Sequence, residues 1–367
     1  MEKLDIENLN NIISALPTIN ANADFWMVRA DRGQYYDDFN MSSYVGIGYD
    51  EISLKEAVNL TNEQLMVLFR ERKPFDSNGK EIPTGTYTSW IGQLKRFANE
   101  ITPGDYVLVP SESSERFALG VVIEQPYELT PEQLDTIEEV AGRQYSPFKK
   151  RIRVQFLRKF NRSSADPALY KMIYTQTTLS KINKYSSYIL RASYDAYTSD
   201  NKVYLTFPVR QKEDIEAIPY TEFTYNLITS FNAIEPNQRP IIKNNVQSAG
   251  VVQLIVDAAP GAALFCLALV SLRSQSGFSI DFSFSKKKFS ITKEDDRIVM
   301  QRVKNEETDR KIKEQNASDA HVERMIDIMN RLEVPMNEIQ AEVSNELSNV
   351  LKEAAKPIDD SSDNSTD

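Results

Sequence analysis

Apolar residues along this chain fall into short runs and longer periodic stretches, and the two patterns predict different elements. Short runs rich in β-branched and aromatic residues, bounded by turn residues, predict strands at residues 25–29 (FWMVR), 43–48 (SYVGIG), 106–110 (YVLVP) and 118–125 (ALGVVIEQ). Residues 151–160 (RIRVQFLRKF) alternate basic and apolar positions, as a half-buried strand with a cationic outer face should. Helical spacing predicts a short amphipathic helix within residues 1–20 and another at 61–72, opened by Thr61 with Glu63 and Gln64 in its first turn. A third is predicted at 86–101, where Trp90, Leu94 and Phe97 share a face, and a fourth at 130–142, with Thr130 as cap and Pro131 in the first turn. Pro103-Gly104-Asp105 is a turn, and residues 30–41 (ADRGQYYDDFNM) read as a polar connection.

The texture changes from about residue 188. Residues 188–196 and 202–209 predict a hairpin pair, and residues 221–234 an amphipathic helix. The most apolar stretch, residues 250–272, approaches the length of a membrane span. Asp257 and Pro260-Gly261 interrupt its centre, which favours a buried strand at 251–256, a tight turn and a buried helix at 262–272. Residues 277–292 alternate across a Ser-Lys-Lys-Lys turn and predict a hairpin. A charged helix is expected over 297–333, ended by Pro335, and another over 336–355 with Ile339, Val343, Leu347 and Leu351 on one stripe. The acidic end, residues 357–367, reads as disordered. The fold class expected is α+β. The divisions are an N-terminal helix (1–19), a first domain (20–190), an α+β module (191–295), a helical assembly segment (296–356) and the tail.

Cys266 and His321 are the only residues of their types, which excludes an intrachain disulfide, a Cys-x-x-Cys redox pair and His-rich or Cys-rich zinc sites. The lone Cys and the polar start at Met1, with no secretory signal, point to the cytoplasm. The net charge of −10 is unevenly spread. Residues 295–367 hold 18 acidic and 10 basic side chains, whereas residues 143–185 hold 11 basic side chains and one acid, Asp166. That local cationic segment permits a polyanion partner.

Catalytic motifs are scarce. Gly46-Ile47-Gly48 begins like a dinucleotide loop, but Tyr49-Asp50-Glu51 follows where a third glycine is needed, and no phosphate-cradling G-x-x-x-x-G-K-[ST] exists. No cofactor, metal site or catalytic residue is therefore assigned, and the chain reads as non-enzymatic. Two alternatives stay open: a metal-dependent hydrolase using Asp257 and Asp281, the acids inside apolar strands, and a membrane-disrupting effector built on residues 251–272.

Binding chemistry is richer. Lys149, Lys150, Arg151, Arg153, Arg158, Lys159 and Arg162 lie on and beside one predicted strand, where cations can track a phosphate backbone. Trp26, Tyr35, Tyr36, Tyr44, Tyr87, Trp90 and Tyr127 cluster in the first third, interleaved with Arg29, Arg32 and Arg116. An extruded base needs flat rings to stack on and polar groups along its edge.

Read in order, Trp-x-Val-Arg at residues 26–29, V-G-I-G at Val45, L-x-x-F from Leu94, I-x-x-G-D-x-V-L from Ile101, a G-x-V strand at Gly120, R-x-V-x-F-L from Arg151 and T-Q-T-T-L-S-K-I from Thr175 resemble the EVE-like branch of the PUA superfamily. The likeness is to the N-terminal reader domains of modification-dependent restriction and antiphage proteins, and covers about residues 20–190. It departs at Phe156, where related domains often carry Trp. The resemblance implies a small β-barrel whose base pocket would involve Trp26, Arg29, Tyr44, Trp90, Arg116 and Gly120. It further implies a bacterial defence role with nucleic acid as partner, DNA ahead of RNA. The remaining half would serve self-association or recruit a partner defence protein, and a membrane is not expected.

Overall fold

The computed structural model describes residues 6–137, 145–174, 177–211, 213–245, 250–273, 278–281, 290–293, 312–343 and 345–354. They divide into two compact units, Asn22–Ser193 and, from both ends of the chain, Met1–Ala21 with Tyr194–Asp367. The first helix, α1 (Ile6–Ser14), belongs to the second of these.

In the unit Asn22–Ser193, β1 (Phe25–Val28) is buried along its length. A helix then forms inside the stretch that read as a polar connection: α2 (Tyr36–Ser42) has Asp37 and Asp38 in its first turn, where carboxylates favour the helix dipole. It buries Tyr36 and Phe39 and stops at Ser43 in a left-handed conformation. β2 (Tyr44–Ile47) follows, then α3 (Leu54–Asn59) and α4 (Asn62–Arg72), each opened by a capping box, Ser53 with Glu56 and Thr61 with Gln64. In the first box the Arg72 guanidinium grips the Glu56 carboxylate and holds its pKa down at about 2. Helix α5 (Thr84–Asn99) turns Ile91, Leu94 and Phe97 inward. β3 (Tyr106–Pro110), β4 (Arg116–Val122), β5 (Tyr127–Glu128) and a short α6 (Pro131–Asp135) come next. The rest of the helix expected to residue 142 lies outside the described residues. The unit closes with β6 (Lys150–Asn161), α7 (Tyr170–Ile173), β7 (Leu179–Lys181) and α8 (Ser186–Ser193).

These seven strands form one sheet in the order β2-β6-β4-β3-β1-β7, with β5 also on β6. β1 and β3 are parallel neighbours and every other pairing in the sheet is antiparallel. The sheet curls as a half-barrel, so that β1 and β2 approach although three strands separate them in the ladder. The turn before β3 acts as its clasp. Gly104 takes φ +95°, and the buried Asp105 accepts from the Asp24 and Thr102 N–H groups and from the Trp26 indole at 3.2 Å. Residues 188–196, expected as a strand, are mostly helix α8. Ile189 and Leu190 are buried on one face, and Arg191 pairs with Asp166.

In the other unit, β8 (Ala196–Ser199), β9 (Lys202–Val209), β10 (Ile241–Asn245) and β11 (Gly250–Asp257) form an antiparallel sheet in the order β10-β11-β9-β8. Its core joins the sheet to α9 (Ala217–Ile234) and α10 (Pro260–Arg273) through residues such as Phe223, Phe231, Leu254 and Phe265. Thus the apolar run 250–272 is a strand, a turn and a 14-residue helix. Among the described residues no helix is long and apolar enough to cross a membrane. Cys266 is buried in α10, and burial pushes its thiol up to about 12. β12 (Phe278–Asp281) and β13 (Ser290–Lys293) pair as the expected hairpin, whose turn lies outside the described residues, as do residues 297–311 and the tail 357–367.

The helix expected to end at Pro335 does not. α11 (Ile312–Glu338) runs through it. A proline has no N–H for the carbonyl four residues earlier, here Arg331. That carbonyl instead accepts from the Asn226 side-chain amide of α9 at 2.9 Å, so the helix continues for another turn. α12 (Asn345–Ala354) follows. Ile339, Val343 and Leu347 are buried in this unit's own core, and the Leu351 side chain lies outside the described residues.

Candidate nucleic-acid interface

The basic residues of β6 divide at a β-bulge. Across the β4–β6 ladder Val121 pairs with Gln155 and Gly120 with Phe156, but Leu119 pairs with Arg158, so Leu157 is an extra residue. Side chains alternate along a strand, and an extra residue resets which face each later one takes. At Gly120 a Cβ would lie 2.4 Å from Val154 Cγ1 and 2.9 Å from the Gln155 carbonyl oxygen, so the approach of the two strands requires glycine. What comes close to Gly120 is the neighbouring strand.

Before the bulge two cations turn into the fold. Lys150 is fully buried and donates to the Tyr49 carbonyl (3.1 Å) and the Asp50 carboxylate (3.0 Å), with Glu128 at 3.7 Å. Arg151, 7% exposed, donates to the Phe148 (2.8 Å) and Ser146 (3.0 Å) carbonyls and lies 4.0 Å from the Tyr44 ring centroid. Both depart from the solvent-facing arrangement expected of the strand: their charges are taken up by carbonyls, carboxylates and a ring. Arg153 is exposed, with Glu124 at 3.7 Å. Beyond the bulge Lys159 is exposed and Arg158 half-buried, while half-buried Arg162 lies over the Tyr170 ring at 4.7 Å. Lys149 is also half-buried. Lys159 sits opposite Ala118, and Arg116 opposite Asn161, so Arg116 and Lys159 share a face; Arg158 and Phe160 take the other.

The residues expected in a base pocket separate into four places. Trp26 and Tyr44 are core. Trp26 is wholly buried on its Asp105 bond, with the Lys181 ammonium 5.2 Å from its ring. Tyr44 donates to the buried Asp38 carboxylate at 2.5 Å, and burial followed by that carboxylate raises its phenol far above the usual value. Gly120 lies at the bulge. Arg29 and Trp90 lie on either side of the Thr178–Tyr49 pair: the Arg29 backbone N–H donates to the Thr178 carbonyl, the Tyr49 hydroxyl donates to the Thr178 hydroxyl at 3.4 Å, and the Tyr49 and Trp90 rings are 5.8 Å apart. The Arg29 guanidinium also donates to the Ile173 carbonyl, and burial lowers its pKa.

Arg116 alone of the six lines a cleft, of about 550 Å³, with Asp31, Arg32, Tyr36, Asp37 and Glu112. It opens where the loops after β1 and β3 meet, because parallel neighbours send their C-terminal ends to one edge. The walls are strained. Asp31, Arg32, Ser113 and Ser114 have φ of 45°, 58°, 54° and 55° without being glycine. Gly33 (φ +98°) packs so tightly that a Cβ would lie 2.1 Å from the Glu112 nitrogen, which locks the loops back to back. The Arg116 guanidinium lies 5.2 Å from the Tyr36 ring centroid. Tyr36 is 3% exposed, and burial, opposed by the charge of Arg116, raises its phenol. The turn-rich runs DRG and SESS are visible in the sequence, but the parallel pairing that unites them is not.

Asp257 is exposed at the end of β11, opposite Lys202, and the Asp281 side chain lies outside the described residues. Among the described residues no group of three or more His, Cys, Asp or Glu is placed to hold a metal. Compared with known proteins, the chain matches no family model, no curated protein and no solved structure.

Proposed function

We propose that the unit Asn22–Ser193 is a nucleic-acid reader of the EVE-like type in the PUA superfamily, serving a bacterial antiphage or restriction-type defence system. The cleft between the loops after β1 and β3 takes a single extruded nucleotide, and the other unit holds copies of the chain together or docks a partner protein. The observation that carries this reading is the cleft itself. Its volume falls within the roughly 300–1,000 Å³ of small-molecule sites, and it is pre-formed by two interlocked, strained loops. A cation stacked on a ring lies in its wall, a pairing suited to a phosphate beside a base. Carboxylates at Asp31, Asp37 and Glu112 offer acceptors to base edges.

The test is a binding screen of plain and modified DNA and RNA oligonucleotides at two salt concentrations, with Arg116→Glu as control. Arg116→Glu is expected to weaken binding at least fivefold, on the order of one lost phosphate contact, with the melting temperature kept. Equal binding by Arg116→Glu and the unaltered protein would remove the cleft from the interface.

A further inference from the structure

We infer that Arg116 and Lys159 form a two-pronged clamp for the phosphodiester next to the nucleotide in the cleft, and that the extra residue Leu157 brings Lys159 into it. The inference rests on the nucleic-acid reading and narrows it to two side chains and one ligand group. Seven basic residues lie on or beside β6, and they differ sharply in availability. Lys150 and Arg151 are committed inside the fold, and Arg162 is stacked on Tyr170. Arg153 faces Glu124. Lys159 is exposed on the face that Arg116 occupies.

The register gives the spacing. Arg116 pairs with Asn161 and Ala118 with Lys159, so Arg116 and Lys159 are diagonal neighbours on one face of adjacent antiparallel strands. Diagonal neighbours stand roughly 7–8 Å apart at Cα, and both side chains are long enough for their heads to converge on one phosphate. Without the bulge the parity of β6 would be continuous, and Lys159 would fall on the face of Arg151 and Arg153. Arg158 would then take the clamp position. Arg158, adjacent in sequence and equally cationic, is on the opposite face as the strand stands. Arg116 is anchored over Tyr36 in the cleft wall, so the clamp sits at the cleft's edge and fixes the register of a strand whose base enters it.

Fluorescence anisotropy with a labelled DNA 20-mer, single-stranded and duplex, at about 50 and about 200 mM KCl separates the outcomes. Lys159→Glu is expected to weaken binding on the order of tenfold and to lower the salt slope by about one, as removal of one phosphate contact should. Arg158→Glu is expected to stay within about twofold. Because the clamp shares one phosphate, Arg116→Glu with Lys159→Glu should cost less than the product of the single effects. If Arg158→Glu weakens binding as much as Lys159→Glu, or the two clamp variants multiply independently, the clamp is refuted while the reader remains. If the unaltered full-length chain binds neither probe, the reader and the clamp fall together.

Discussion

The two halves of β6 carry the same kind of sequence and put it to opposite uses. Lys150 and Arg151, before the bulge, meet carbonyls and the Asp50 carboxylate from the turns at Tyr49–Asp50 and 145–148, the Glu128 carboxylate of β5 and the Tyr44 ring of β2, and become part of the scaffold. Lys159, after it, meets none of these and stays in solvent. Charge density along a strand therefore measures how many cations are available, whereas the turns packed against the strand decide how many remain so. A buried cation needs partners to offset its desolvation; those of Lys150 come from Tyr49 and Asp50, about a hundred positions away, whereas those of Arg151 come from the turn just before it.

The largest break in this contrast is Lys150→Ala, which leaves Asp50 and Glu128 without their shared cation and opens a hole beneath Tyr49. It should destabilise the unit by about 3 kcal/mol, read as a lowered urea midpoint at unchanged slope. Gly120→Ala comes next: its methyl cannot fit beside Val154 without parting β4 from β6, and about 2 kcal/mol is expected from overpacking in the same measurement. Lys159→Ala, on the other half, should shift stability by less than about 0.5 kcal/mol. A Lys159→Ala effect matching that of Lys150→Ala would erase the distinction between the halves.

How much of this could be read from the sequence follows from which interactions are local. Strands β1, β3, β4 and β6 announce themselves through apolar runs and turn residues, and Thr61 with Gln64 and Thr130 with Gln133 mark helix starts by contacts three residues apart. Helix α2 was hidden because its buried rings, Tyr36 and Phe39, are outnumbered by polar neighbours, and only packing against β2 identifies its apolar face. Residues 188–196 carry apolar positions compatible with either period, and the Asp166–Arg191 pairing that favours helix α8 joins distant segments. Pro335 is a helix breaker by every local rule; Asn226, on another helix, satisfies the carbonyl it strands. The candidate site shares this limit. Aromatic and basic residue types were visible, but the bulge at Leu157 and the parallel β1–β3 pairing, which sort them into core, outer face and cleft, arise only when strands meet.

The order of the two units along the chain has a consequence for how it is made. Thr18 pairs with Thr198, and the Thr198 N–H donates to the Pro17 carbonyl, so Asn22–Ser193 is an insertion whose entry and exit points lie side by side. During synthesis the whole insertion leaves the ribosome before α10, the partner of α1, has been translated. The half-barrel can thus be complete while the amino-terminal helix still waits, its apolar side uncovered, for the last third of the polypeptide to arrive.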